Sequence, residues 1–183
     1  MKILMIVGSL RQGSYNRQLA RQAAQLLEGH VQIQFLDYAD LPMLNQDIEF
    51  PAPNSVARIR REIESSDGLW FFTPEYNGSI PGGLKNLLDW ASRTYIPNDP
   101  NLVTALKGKK AAVSGVGGRA AAGRSREALV NVLKFIQVHV METPQTGVAL
   151  VGEDWSQADL VLKAEDAHTL QEQADAFLKF LQA

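Results

Sequence analysis

The chain has 183 residues, of which 45% are apolar and 21% charged, with a formal net charge of −2 at pH 7. That length suits one domain with a substantial core, and the near-neutral balance gives no reason to expect nucleic acid or an acidic membrane surface as a partner. Cysteine is absent, which excludes a disulfide framework, thiolate catalysis, iron–sulfur ligation and cysteine-bound zinc.

Ile3–Val7 is an apolar run followed by Gly8. It is too short to cross a bilayer and lacks a signal-peptide cleavage region, so it reads as a buried strand. No other long apolar segment occurs, and the expected location is the cytoplasm, with no membrane partner. Asn16–Leu27 reads as the first helix, with Leu19, Ala23, Leu26 and Leu27 on one face. Val31–Leu36 alternates apolar and polar residues, as an edge strand does. The stretch from Leu41 to Pro53 holds three prolines and reads as a long loop; Asn54 or Ser55 then caps a helix running to about Ser65.

Gly68–Phe72 is a fully buried central strand by its composition, and Pro81 opens a helix that continues through Trp90. Lys110–Ser114 reads as the fourth strand and Ser125–Gln137 as the fourth helix. Val138–Thr143 begins a fifth strand interrupted by Pro144, and Ala164–Leu181 is a long amphipathic helix. Strands alternating with helical segments predict a parallel α/β sheet, and right-handed crossovers leave few topologies. The most economical is a single flavodoxin-like three-layer sandwich over residues 1–183, with a five-stranded parallel sheet in the order 2-1-3-4-5.

In such sheets ligands bind beyond the carboxyl ends of the strands, near the point where strand order reverses. Three loops fall there. The first, Gly8–Asn16, joins a buried strand to a helix N-terminus, where free N–H groups and the helix dipole favour an anion. Ser9, Ser14 and Asn16 add short donors and Arg11 a fixed charge, which suits a terminal phosphate; the plainer alternative is a capped turn with Ser14 as N-cap. Its Gly-x-x-x-x-Gly spacing matches the start of a Walker A loop, but Ser14-Tyr15 stands where lysine is required, so a triphosphate is excluded.

The second loop, Thr73–Pro81, contains Pro74, Glu75, Tyr76 and Asn77. Its irregular path is expected to leave the backbone groups of Tyr76 and Asn77 available, with the tyrosine ring against a planar ligand; a rigid connection is the alternative. The third, Ser114–Gly123, carries Gly115, Gly117 and Gly118. Gly115–Ala120 fits G-x-G-x-x-[G/A] as written, yet in the fourth βα unit rather than the first, so a loop letting backbone approach a flat ring is the preferred reading. His30, His139 and His168 lie on different elements, so neither a catalytic cluster nor a metal site is expected. Trp90, Tyr95 and Ile96 are core residues or part of a subunit contact.

At these residues the sequence resembles the NADPH-dependent FMN reductase family, which includes chromate, azo-dye and quinone reductases. The likeness rests on Gly8-Ser-Leu-Arg-x-x-Ser-x-Asn16 and on Pro74-Glu-Tyr-Asn-x-Ser-x-Pro-x-x-Leu-Lys-Asn-x-x-Asp-Trp90. The resemblance implies non-covalent FMN, with Ser9, Arg11, Ser14 and Asn16 on its phosphate. Pro74, Glu75, Tyr76 and Asn77 would flank the ribityl chain and ring, while Ser114, Gly115, Gly117 and Gly118 would contact the far side. It further implies an enzyme in which NADPH or NADH passes a hydride to flavin N5 and a quinone-like acceptor is then reduced, in ping-pong order, with no catalytic side chain. Chromate, azo dyes, nitro compounds and free flavin are further acceptors, and a homodimer or homotetramer is implied. The alternative is a flavodoxin-like electron carrier that binds FMN without its own NAD(P)H site.

Overall fold

The computed structural model describes residues 1–183. The strands are β1 (Lys2–Val7), β2 (Gln32–Phe35), β3 (Gly68–Phe72), β4 (Lys110–Gly117), β5 (His139–Val140) and β6 (Gly147–Ala149). The helices are α1 (Tyr15–Leu26), α2 (Asn54–Glu64), α3 (Gly82–Ala91), α4 (Gly123–Phe135) and α5 (Ala164–Gln182). All pairings are parallel in the order β2-β1-β3-β4-β5, with β6 also on β4. This is the doubly wound order in which strand sequence reverses between β1 and β3.

Strand pleating divides the core into two layers. Leu4, Ile6, Leu69, Phe71, Ala111 and Val113 face α2, α3 and α4, where Ile59, Leu87 and Leu133 meet them. Ile3, Met5, Val7, Trp70, Phe72 and Ala112 point the other way, to Leu19 and Ala23 of α1 and Leu170 and Phe177 of α5. Each large apolar side chain so buried contributes about 1.5–3 kcal/mol, which holds the three central strands rigidly beneath the loops at their carboxyl ends. Trp90 belongs to the core: it is fully buried and its indole N–H donates to the Pro42 carbonyl at 2.8 Å.

The sequence expects a fifth strand interrupted by Pro144, and the structure has two short strands on either side of that proline. β5 pairs Lys110 and Ala111, and β6 pairs Gly115 to Gly117, leaving the middle of β4 without a strand on that side. Gln173 of α5 fills the gap. Its buried amide donates to Val113 C=O at 2.9 Å and accepts from Thr146 N–H at 2.8 Å, as a strand would. Ser114 Oγ donates to the same amide oxygen at 2.8 Å and accepts from the Trp70 indole at 2.9 Å.

Smaller departures occur at element ends. β4 runs three residues beyond Ser114 to Gly117, and α4 spans Gly123–Phe135 rather than Ser125–Gln137. Pro53 and Pro81, not Asn54, Ser55 or a first-turn proline, occupy the N-cap positions of α2 and α3. No helix is long and apolar enough to cross a membrane.

Candidate functional site

The loops after β1, β3 and β4 meet in a cleft of about 360 Å³, within the range of small-molecule sites. Nine of the residues singled out in the sequence line it together: Ser9, Arg11, Ser14, Asn16, Pro74, Glu75, Tyr76, Gly117 and Gly118. Asn77, Ser114 and Gly115 do not.

At the first loop, α1 begins with its N-terminus toward the cleft. Gln18 is the first residue whose N–H finds a helical carbonyl, that of Ser14 at 3.0 Å. The amides of Tyr15, Asn16 and Arg17 are therefore free, and carry the positive end of the helix dipole. Ser14 occupies the N-cap position, yet its hydroxyl makes no capping bond. Ser9 and Ser14 are nearly buried and both side chains line the cleft. Arg11 is exposed, its guanidinium donating to Gly13 C=O at 2.9 Å and lying 5.9 Å from the Tyr15 ring centroid. Asn16 is different. Its amide donates to Val116 C=O at 3.0 Å and accepts from Val116 N–H at 2.9 Å, so its side chain ties the loop to β4 rather than presenting donors to an anion.

The second loop corrects another expectation. Tyr76 and Ser79 exchange both backbone hydrogen bonds, at 3.0 and 3.1 Å, so the Tyr76 backbone is not available to a ligand. Asn77 and Gly78 take φ values of 52° and 73°, the left-handed pair of a type I′ turn, which asparagine and glycine adopt most readily. Asn77 is thereby carried out to the exposed tip, while half of the Tyr76 surface (51%) stays open at the mouth of the cleft. The Glu75 carboxylate accepts from Arg124 N–H at 3.1 Å and weakly from Ser125 N–H at 3.4 Å, capping α4 with a negative charge.

The third loop is shorter than its glycines suggest. Ser114, Gly115 and Gly117 belong to β4, and Ser114 is fully buried against Trp70 and Gln173. A Cβ on Gly115 would stand 2.6 Å from Thr73 O, and one on Gly117 2.6 Å from Ala122 N. Those two glycines serve close packing inside the chain. Of the three glycines that were singled out, Gly118 has open space above it, as close approach of a ligand requires. Ala121 and Ala122 follow with φ of 49° and 55°, strained for alanine and held by Ala121 N–H to Gly118 C=O at 2.7 Å.

Three lining residues escaped the sequence reading: Tyr15, Val116 and Trp155. Val116 was hidden by ending β4 too early. Tyr15 lies inside the first motif but carries no phosphate donor. Trp155, on a short 3₁₀ turn between β6 and α5, sits in a stretch with no periodic signal at all.

These features define a doubly wound α/β protein with free helix amides at the start of α1 and a cleft there lined by Tyr15, Tyr76 and Trp155. Free α1 amides, Ser9, Ser14 and Arg11 suit a terminal phosphate, and half-open Tyr76 with the unobstructed Gly118 in the same cleft suits a planar group, so the residues present fit FMN. The family model for NADPH-dependent FMN reductases matches residues 1–153, and the chain belongs to that family. An NAD(P)H-dependent FMN reductase of Pseudomonas aeruginosa is 34% identical over 96% of this chain and 92% of its own. A quinone reductase of Pseudomonas putida is 38% identical over 83% and 81% of the two chains. Among solved structures, the flavoenzyme NAD(P)H:(acceptor) oxidoreductase FerB of Paracoccus denitrificans superposes with a TM-score of 0.86 at 35% identity, covering 99% of this chain and 97% of that one. The protein is thus an oxidoreductase of a family that works with FMN and draws electrons from NAD(P)H.

Proposed function

We propose that the protein reduces quinones to hydroquinones with electrons from NAD(P)H, one FMN being held in the cleft above the sheet. The observation that carries this reading is that one cleft is lined both by Ser9, Ser14 and the start of α1 with its free amides and by the half-exposed Tyr76. Ser9, Arg11, Ser14 and the first α1 amides would hold the phosphate. Pro74, Glu75 and Tyr76 would flank the ribityl and ring, with Gly117 and Gly118 opposite. The chemistry supplied by bound FMN is two-electron carriage, a hydride accepted at N5 from the nicotinamide and two electrons then delivered to the acceptor.

The chain's own part is to bind and orient. Arg11 lines the cleft without a carboxylate partner, giving a locally positive approach for the phosphates of NAD(P)H. A single open mouth admits the nicotinamide and the acceptor in turn, which is a ping-pong order. Chromate, azo dyes, nitro compounds and free flavin are reachable through the same mouth. The relatives named as quinone reductases favour quinones among them. We place the enzyme in the cytoplasm, acting as one domain over residues 1–183.

The test is the visible spectrum of the protein with FMN, followed by anaerobic NADPH or NADH and then a quinone. Bleaching by the nucleotide and recovery with quinone is the expected result. FMN binding without bleaching by either nucleotide would identify an electron carrier instead, and no FMN binding would overturn the reading altogether.

A homodimer or homotetramer belongs to the same proposal. The outward strip of α3 is Gly82, Gly83, Lys85 and Asp89, with no apolar side chain. Exposed apolar surface gathers instead around the C-terminal end of α4, where Phe135 is 87% exposed and shares a surface cleft with Leu102. A residue that large and open is worth covering. Phe135→Glu is expected to shift the assembly to smaller species in sedimentation; an unchanged mass would remove this surface from the contact.

A further inference from the structure

The family match ends at residue 153, and the cleft does not. After β6 the chain crosses the outside of α1 before entering α5, and the crossing segment is pinned along one face of that helix. The Tyr15 hydroxyl lies 3.3 Å from Asp154 C=O and 3.1 Å from Trp155 C=O, with Gln157 C=O nearer still. Gln18 donates to Ala158 C=O at 2.9 Å and accepts from Leu160 N–H at 2.6 Å. Gln22 donates to Leu160 C=O at 3.0 Å. Residues 15, 18 and 22 share a helix face, so α1 presents a ladder of side chains matched to the strap's backbone.

The strap is also fixed internally. Val151 N–H donates to the Asp154 carboxylate at 2.8 Å and Ser156 Oγ to Glu153 C=O at 2.7 Å. Leu150 and Leu160 are buried at its two ends. These contacts give Trp155 a defined position. Its indole lines the cleft, meets the Tyr15 ring edge to face at 6.0 Å between centroids, and remains 52% exposed. On the other side of this pair Arg11 lies over Tyr15. Three residues, two aromatic and one cationic, thus line the cleft beside the Ser14 end of α1.

We infer that Trp155 and Tyr15 are cofactor-binding residues: Trp155 on the strap and Tyr15 at the start of α1 form an aromatic wall that covers the phosphate-bearing end of FMN. The inference rests on FMN being the cofactor. An exposed indole beside a bound flavin nucleotide loses water from its face, and that gain is returned as affinity and slower release. The ladder from Tyr15, Gln18 and Gln22 supplies the preorganisation, since a free strap would have to be ordered at each binding event.

The experiment is FMN affinity and first-order FMN release, compared between the parent, Trp155→Ala and Trp155→Phe. Trp155→Ala is expected to raise the dissociation constant about tenfold and to speed release similarly, while Trp155→Phe stays within about threefold of the parent. Trp155→Gln keeps the strap occupied and is expected to lose affinity like the alanine variant, which covers the case of an alanine variant that folds poorly. Gln22→Ala leaves the cleft lining intact, and is expected to speed release by loosening the strap. A parent that binds FMN together with alanine and glutamine variants of unchanged affinity and release would overturn the inference. A parent that binds no FMN would overturn the functional reading beneath it.

Discussion

Arg11 is exposed and bonds only the Gly13 carbonyl of its own loop, whereas Asn16, five residues on, is buried with both halves of its amide engaged by Val116. Their substitutions therefore separate binding from folding. Arg11→Ala removes a charge-assisted phosphate contact and is expected to weaken FMN binding about tenfold or more. The melting temperature of its flavin-free form should match that of the parent; an equal loss in both measurements would mark a structural arginine. Asn16→Ala strands the N–H and C=O of Val116 and costs about 2–4 kcal/mol of stability. Differential scanning calorimetry of the flavin-free protein should show a fall of roughly 4–16 °C, at about 2–4 °C per kcal/mol for this size. No fall would mean that water replaces the amide there.

Among the elements, the split fifth strand gives the sharpest test. Gln173→Leu keeps volume but strips partners from Val113 C=O, Thr146 N–H and the Ser114 hydroxyl, all sealed from solvent. At roughly 1–3 kcal/mol for each buried group left unpaired, it is expected to be among the most destabilising changes on α5, read as a lowered denaturant midpoint. A neutral effect would show that β4 does not need the side chain as a surrogate strand. The same region marks how far the sequence could be read. The order of strands followed from short apolar runs alternating with amphipathic helices, because each run must be buried on both faces. The first and second loops were legible through arginine, serine and proline in positions that plain turns do not need. Asn16 lines the cleft as expected, but the partner that engages its side chain lies 100 residues away and leaves no trace in the local sequence. Gly115 and Gly117 belong to a strand, not the expected loop, because β4 outruns its hydrophobic stretch: glycine looks like a loop residue until Thr73 and Ala122 are seen pressed against it. Trp155 was invisible because a single aromatic in a polar stretch has no period, and only the fold brings it to Tyr15.

At the scale of the whole molecule, the cleft is built from residues as far apart as Ser9 and Trp155, carried on the loops after β1, β3 and β4 and on the strap before α5. No single loop or βα unit contains it, so a ligand bound there stabilises the sheet as a whole rather than one motif. Linkage gives the size: ligand at a hundred times its dissociation constant adds about 2.7 kcal/mol to the native state. For a chain of this length that is a rise of roughly 5–10 °C in melting temperature. Both core layers share the three central strands, so the flavin-free protein is expected to melt in one transition, and FMN should move that transition as a unit. Arg11→Ala at the same FMN concentration should lose much of the rise while starting from the same baseline. A biphasic melt in which FMN shifts only one phase would show that the loops and strap unfold apart from the sheet, and that the cofactor holds them locally rather than through the fold.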